Sequence, residues 1–170
     1  WTTPPKDVAY EWTHPPVAKY GMVISMLLFG ENSTAWRLGS AISGVITIYG
    51  IYLLVQALTK NKNIALLSAF LLSIEGLHIA QSRIAMNDSY MMVFFIFALY
   101  AAVKTKWKLA AVLYGLALGS KWSALYAVIP LAYIYINQES KNFKKISSVL
   151  SHIFFGLKLL LISIFVYILT

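Results

Sequence analysis

The sequence of 170 residues contains no cysteine, and only 12% of its residues are charged. Without cysteine the chain has no disulfide framework, no thiolate metal site and no cysteine nucleophile. Soluble domains carry about 25% charged and about 45–50% apolar residues, whereas this chain is 59% hydrophobic. The shortage of charge excludes an ordinary soluble domain and predicts an integral membrane protein.

Acidic residues are scarcer than basic ones. Six Asp and Glu stand against fourteen Lys and Arg, which gives a formal net charge of +8. In a soluble chain this excess would suggest a nucleic-acid partner. Here the lysines cluster in short segments between apolar runs, as the cytoplasmic anchors of membrane helices do. We therefore expect membrane lipid, and no nucleic acid, as a partner.

The apolar runs predict an all-α fold, a polytopic bundle of transmembrane helices, because a span needs about 20 predominantly apolar residues. We expect one membrane domain over 1–170, with an outer loop and interfacial helix in 1–35 and about six transmembrane helices in 36–170. The run 17–29 is short and follows two prolines, which is typical of a re-entrant or interfacial helix at the outer face. The expected spans are 36–58, 64–80, 89–103, a hairpin of 109–119 and 124–136, and 149–169.

Polar segments of two kinds alternate between these runs. Lysine-rich segments occupy 59–63, 104–108 and 137–145, and hold eight of the fourteen basic residues. Segments that mix acids, Arg, His, Lys and Pro occupy 10–19, 81–88 and 119–123. If every apolar run crosses the membrane, the lysine-rich segments share one side, which the positive-inside rule makes cytoplasmic. The mixed segments then form a single active face on the outer or lumenal side.

Arg83 and Asp88 lie in one mixed segment, at the expected membrane boundary. Ionisable residues there are costly and tend to be functional or paired. A guanidinium binds phosphate oxygens in a two-pronged manner, and a carboxylate serves as a general base or metal ligand. A salt bridge that only ties the loop explains the two residues equally well.

Glu75 and His78 are three residues apart, which places them on one face of a helix. With Asp88 they form a candidate site for a divalent metal. A hydrogen-bonded pair near the interface is the favoured interpretation, so no metal and no other cofactor is expected.

Two further segments carry candidate residues. Pro15 and Pro16 fix the backbone next to His14 and hold it at the mouth of a helix, with Lys19 nearby. A plain helix-capping turn is the alternative. Lys121 and Trp122 suit an interfacial anchor, but an anchoring lysine is disfavoured on the outer side, so phosphate binding gains weight.

Together, four ordered motifs resemble those of the protein O-mannosyltransferases: HPPVAK (14–19), WRLGSAISG (36–44), LHIAQSRIAMNDS (77–89) and GLALGSKWSALY (115–126). These enzymes are membrane glycosyltransferases of the GT-C type. The resemblance implies many membrane helices with an active site in outer loops. It also implies a mannosyl or related sugar donor on dolichyl or polyprenyl phosphate, an acceptor Ser or Thr hydroxyl on a protein, and inversion at the sugar. The implied location is the plasma membrane of a prokaryote, or the endoplasmic reticulum membrane of a eukaryote.

The resemblance also implies roles for the singled-out residues. Arg83 and Lys121 would face the lipid phosphate, His14 and Lys19 would line the same cavity, and Asp88 would be an active-site acid or would fix Arg83. The candidate catalytic residues are therefore Asp88, Arg83 and His14, and the candidate substrate-binding residues are Lys19, Lys121, Arg83 and Trp122.

One departure from the family concerns its acidic pair, which precedes the HPP motif and is taken as the catalytic base. Asp7 and Glu11 lie too close to His14 to stand in for that pair. We therefore expect a central fragment or a truncated relative of the family. The two functional hypotheses are a glycosyltransferase seen in part, and a non-catalytic membrane subunit that binds lipid or partner proteins.

Overall fold

A computed structural model describes residues 14–139 and 146–170, and these residues form helices without any strand. The α-helices are α1 (Val17–Phe29), α2 (Ser33–Thr59), α3 (Lys62–Ser73), α4 (Gly76–Arg83), α5 (Asn87–Val103), α6 (Trp107–Ser120), α7 (Val128–Glu139) and α8 (Ile146–Leu169). A 3-10 helix, Trp122–Ala127, joins α6 to α7. The all-α prediction is confirmed.

Local capping explains where α2 begins and ends. The Asn32 side-chain oxygen accepts hydrogen bonds from the backbone N–H groups of Thr34 and Ala35, at 3.0 and 2.9 Å. This cap starts the helix three residues before the predicted boundary, because it satisfies donors that have no partner inside the helix. Lys60 closes the helix in the left-handed conformation, with φ at 57° and its N–H on the Gln56 carbonyl.

The predicted span 64–80 is broken into two helices that meet at a bend of 58°. The Glu75 carboxylate accepts the backbone N–H groups of Leu77 and His78, at 3.0 and 2.6 Å, and thereby starts α4. Glu75 is the cap that precedes the helix. The prediction that Glu75 and His78 share one face of a continuous helix is therefore wrong.

The predicted hairpin is present, but its second helix begins later than expected, because the 3-10 helix occupies Trp122–Ala127. The hydroxyl of Tyr114 donates to the Leu125 carbonyl at 3.4 Å. At the other end of the pair, the rings of Trp107 and Tyr135 meet edge to face at 5.1 Å. The start of α6 therefore lies beside the end of α7, and the two helices are antiparallel.

Small residues allow the central helices to pack closely in the order α2, α5, α6, α8. A Cβ atom at Gly50 of α2 would lie 2.9 Å from the Phe97 ring of α5. A Cβ atom at Gly115 of α6 would lie 2.6 Å from the Ser163 carbonyl oxygen of α8. α3 and α4 pack on α2, and α1 crosses α2, α5 and α6. The core is thus built from helix contacts along the bundle.

The two kinds of polar segment lie at opposite ends of this bundle. Lys60 and Lys104 line one pocket, and the Gln138 side chain donates to the Ala102 carbonyl at 3.0 Å. We call this the lysine end, formed by 59–63, 104–108 and 137–139. The 17 residues of α5, about 25 Å of helix, separate it from Asp88. The common side predicted for 59–63 and 104–108 is confirmed.

Among the described residues, α2 and the segment His152–Leu169 of α8 are long and apolar enough to cross a membrane. The bent pair of α3 and α4 makes a third candidate if it counts as one span. α1, α5 and α6 are apolar but shorter, with 13, 17 and 14 residues. The expected total of about six spans stays a prediction, as does the division at residue 35.

Candidate functional site

An ion pair joins α5 to the end of α6. Lys121 donates to both carboxylate oxygens of Asp88, at 2.8 and 2.7 Å. Asp88 lies in the first turn of α5, where the helix dipole favours a negative charge. The two side chains retain 16% and 26% of their exposure, so the pair is largely withdrawn from solvent. The carboxylate fixes the direction of the Lys121 ammonium group.

Arg83 stands apart from this pair. It ends α4, its side chain is exposed, and its guanidinium has no hydrogen-bond or ion-pair partner in the part of the chain that the structure describes. Both Asp88 oxygens contact Lys121 instead. The interpretations in which Asp88 fixes Arg83, or in which these two form a loop salt bridge, therefore do not describe this geometry.

The HPP segment begins α1 next to the end of α6. The Pro16 carbonyl accepts the N–H of Tyr20 at 2.9 Å, so α1 starts directly after the two prolines. The Lys19 ammonium donates to the backbone carbonyl of His14 at 3.3 Å. A Cβ atom at Gly119 would lie 2.8 Å from the Val17 side chain. The start of α1 and the loop that carries Lys121 are thus neighbours.

A small buried cluster ties two of the mixed segments together, 10–19 and 81–88. It consists of Ala18 and Met22 of α1, Ala85 of the α4–α5 loop and Tyr90 of α5. Each polar residue follows or precedes a cluster member within two positions: Lys19 follows Ala18, Arg83 precedes Ala85, and Asp88 precedes Tyr90. We call the region formed by His14, Lys19, Arg83, Asp88 and Lys121 the mixed end.

Small residues of α2 position α4 and therefore Arg83. The hydroxyl of Ser40 donates to the Gln81 carbonyl at 3.3 Å, and a His78 ring nitrogen lies 3.2 Å from the Gly44 carbonyl oxygen. A Cβ atom at Gly44 would lie 2.9 Å from the Ser82 Cβ. These small residues of α2 thus hold α4 against α2, and they contribute to the site by positioning Arg83.

Tyr90 is the site residue that the sequence did not single out. It is 6% exposed, and its ring fills the space left by Gly21 and Gly39, so that a Cβ atom at Gly21 would lie 3.0 Å from Tyr90 Cζ. The buried Tyr90 hydroxyl has no hydrogen-bond partner among the described residues. In the sequence, only its position two residues after Asp88 could have indicated that Tyr90 belongs to the site. The helix packing shows that its ring is wedged between α1 and α2.

The candidate metal ligands are not brought together. Glu75 caps α4, His78 contacts Gly44, and Asp88 binds Lys121. Within residues 14–139 and 146–170 there is no group of three His, Asp or Glu side chains that could hold a metal ion. Trp122 follows Lys121 and is 61% exposed, and its indole ring has no ring contact or hydrogen bond with another described residue.

These motifs and their arrangement can be compared with known proteins. The profile of the dolichyl-phosphate-mannose-protein mannosyltransferase family matches residues 13–168. A polyprenol-phosphate-mannose–protein mannosyltransferase of Mycolicibacterium smegmatis is 27% identical, over 68% of this chain and 28% of that protein. The proteins of the same name from Mycobacterium tuberculosis and Corynebacterium glutamicum are 25% and 26% identical over the same shares.

The chain spans just over a quarter of the length of these relatives. No solved structure matches it significantly. The family profile covers nearly the whole chain, from the HPP segment to the end of α8. The chain therefore belongs to the dolichyl-phosphate-mannose-protein mannosyltransferase family.

Proposed function

We propose that the mixed end is the lipid-phosphate part of a mannosyltransferase site. The protein would transfer a mannosyl group from a polyprenyl-phosphate carrier to a Ser or Thr hydroxyl of a protein, on the outer or lumenal side of the membrane. The observation that carries this proposal is the exposed guanidinium of Arg83, for which the described residues supply no counter-ion, at the same end of the bundle as an ammonium that Asp88 holds in place.

The charge balance of the mixed end suits a departing phosphate. Among the described residues, Arg83 and Lys121 bring two positive charges against the one negative charge of Asp88. In the transfer, the acceptor oxygen bonds to the anomeric carbon, the bond from that carbon to the phosphate oxygen breaks, and the phosphate keeps the electron pair. The acceptor proton passes to a base. Positive groups that are already oriented stabilise the negative charge that develops on the phosphate.

The contacts suggest different roles for the Arg83 guanidinium and the Lys121 ammonium group. A guanidinium offers a planar fork that matches two phosphate oxygens, whereas an ammonium acts as a point charge. We assign the fork to Arg83, because no described residue occupies it. We assign Asp88 the role of positioning Lys121, since both of its oxygens accept from that lysine. His14, Lys19 and Trp122 remain candidates for lining the sugar and phosphate cavity.

The sharpest test is Arg83→Gln, with Lys106→Gln at the lysine end as a control that removes one exposed charge. Membranes containing the complete protein are supplied with radiolabelled polyprenyl-phosphate mannose and an acceptor peptide. We expect kcat/KM to fall about 100-fold or more in Arg83→Gln, because one positively charged donor to the negative charge that develops on the phosphate is lost. Arg83→Lys should fall between the two, since it keeps the charge and loses the fork.

Transfer at the wild-type rate by Arg83→Gln would refute the assignment of Arg83. An inactive wild-type protein that still retains polyprenyl phosphate would instead favour the non-catalytic subunit. Insertion of each variant is checked by protease protection, so that loss of transfer is not confused with loss of protein.

A further inference from the structure

A second polar pocket lies at the lysine end, away from the proposed catalytic region. It has a volume of about 270 Å³ and lies between the last turns of α2 and α5. Its walls are Leu53, Gln56, Ala57, Lys60, Tyr100 and Lys104. Two lysines and one side-chain amide thus face a space to which the described residues contribute no acidic wall.

Backbone geometry places both lysines at the rim. Lys60 and Lys104 are the residues that end α2 and α5. Lys60 adopts the left-handed conformation, and Thr105, with φ at 59°, turns the chain away directly after Lys104. The Lys104 ammonium lies 5.7 Å from the centre of the Tyr100 ring, which restrains it over the pocket.

The simplest alternative is that each lysine only offsets the negative end of its own helix dipole. That explanation accounts for one cation at each helix end. It does not account for a shared polar space with an amide from the preceding turn, or for three further lysines that follow the two helices in the sequence, at 62, 106 and 108. Two lysines that share one polar space attract a ligand with a concentrated negative charge.

The surroundings of the pocket favour a lipid over a free anion. Its inner wall is apolar, formed by Leu53, Ala57 and the Tyr100 ring. Further along the same face of α2, the side chain of Tyr49 is 59% exposed. A headgroup phosphate held by the lysines would let its acyl chains run along this surface. Basic pockets between membrane helices are typical sites for anionic headgroups.

We propose that the pocket between the ends of α2 and α5 binds the phosphate headgroup of an anionic phospholipid in the membrane leaflet at the lysine end. Lys60 and Lys104 supply the charge, and the Gln56 amide donates to a headgroup oxygen. The site is separate from the mixed end, and its occupancy does not depend on the mannosyltransferase proposal.

The test compares Lys60→Gln/Lys104→Gln with Lys106→Gln/Lys108→Gln in the complete protein purified in detergent. Both pairs remove two positive charges from the same end, but only the first pair lines the pocket. Binding is measured by native mass spectrometry with phosphatidylglycerol, with phosphatidylcholine as the zwitterionic lipid, and with inorganic phosphate as the free anion. We expect wild type to prefer phosphatidylglycerol, and the first pair to weaken that binding about tenfold or more.

The control pair should weaken phosphatidylglycerol binding less than threefold. Equal losses in the two pairs would overturn the proposal, because they would mean diffuse attraction by the whole end. Equal binding of phosphatidylglycerol and phosphatidylcholine would also overturn it. If inorganic phosphate competes with phosphatidylglycerol at millimolar concentration, the pocket takes a free anion and the lipid assignment is wrong.

Discussion

The two ends of the bundle both carry basic residues, but they use them differently. At the mixed end, Lys121 is held by a carboxylate from another helix and is only partly exposed. At the lysine end, Lys60, Lys104 and Lys106 are exposed and lie at or next to helix ends. The mixed end builds one of its cations, Lys121, into the packing between helices, whereas the lysine end places its cations on the rim.

This difference separates two effects of a charge on a membrane protein. Removing a cation that belongs to the packing leaves a partner without compensation and costs stability. Removing a cation on the rim changes the attraction for an external anion and leaves the fold nearly unchanged. Mutations at the two ends should therefore differ most in their effect on the free energy of unfolding.

The largest effect on stability is expected for Lys121→Met. It leaves the Asp88 carboxylate without its partner in a largely buried place. Breaking a buried pair in this way is strongly destabilising, and we expect a loss of about 2 kcal/mol, since both side chains keep some exposure. The free energy of unfolding is measured by SDS titration in mixed micelles.

The double variant Asp88→Asn/Lys121→Met measures the contribution of the ion pair to the free energy of unfolding. It should be more stable than Lys121→Met alone, because no charge is left uncompensated. It should still fail to transfer mannose if Lys121 contacts the lipid phosphate. Additive losses from the two single variants would show that the pair contributes nothing to packing, and the contrast between the ends would then disappear.

The separation of the two ends could be predicted because it depends only on the order of apolar and polar segments along the chain. Apolar runs of sufficient length alternate with polar segments, so that lysine-rich segments such as 59–63 and 104–108 meet. The resemblance also marked the segments that carry Arg83, Asp88 and Lys121. The bounds 17–29 of α1 follow directly from the prolines and from Gly30.

The sequence could not predict which charges pair. Arg83 is five residues from Asp88, yet the partner of Asp88 is 33 residues away, because pairing depends on how each helix is rotated about its axis. The break at Glu75 was missed for a related reason. A carboxylate three residues before a histidine fits both a shared helical face and an N-terminal cap, and only the backbone path distinguishes them.

A smaller loss of stability is expected for Gly39→Ala, because Gly39 leaves the space that the Tyr90 ring fills between α1 and α2. In Gly39→Ala the added methyl group meets the Tyr90 hydroxyl and lies 3.0 Å from the Gly21 carbonyl oxygen. Overpacking typically costs about 1–3 kcal/mol, and we expect a loss near the lower end, about 1 kcal/mol, measured by the same SDS titration. Gly76→Ala is the control, because nothing lies within 4 Å of its added atom.

Tyr90→Phe tests whether the Tyr90 hydroxyl causes the loss of stability in Gly39→Ala. It removes a buried hydroxyl that has no described partner, so alone it should leave stability unchanged or raise it by about 1 kcal/mol. Combined with Gly39→Ala it should recover part of the loss, since the closest atom is gone. A Gly39→Ala loss that Tyr90→Phe does not reduce would mean that the clash with Gly21 decides the cost.

The smallest effects should come from the lysine end. Lys106→Gln/Lys108→Gln changes two exposed side chains, and we expect less than about 0.5 kcal/mol. Gln138→Leu at the same end should cost about 1 kcal/mol, because its amide donates to the carbonyls of Ala102 and Val103 that end α5. If the two lysine changes cost more than Gln138→Leu, rim charge would contribute to the fold after all. The expected order would show that the lysine end is held by packing and hydrogen bonds, which leaves its charges free to serve a ligand.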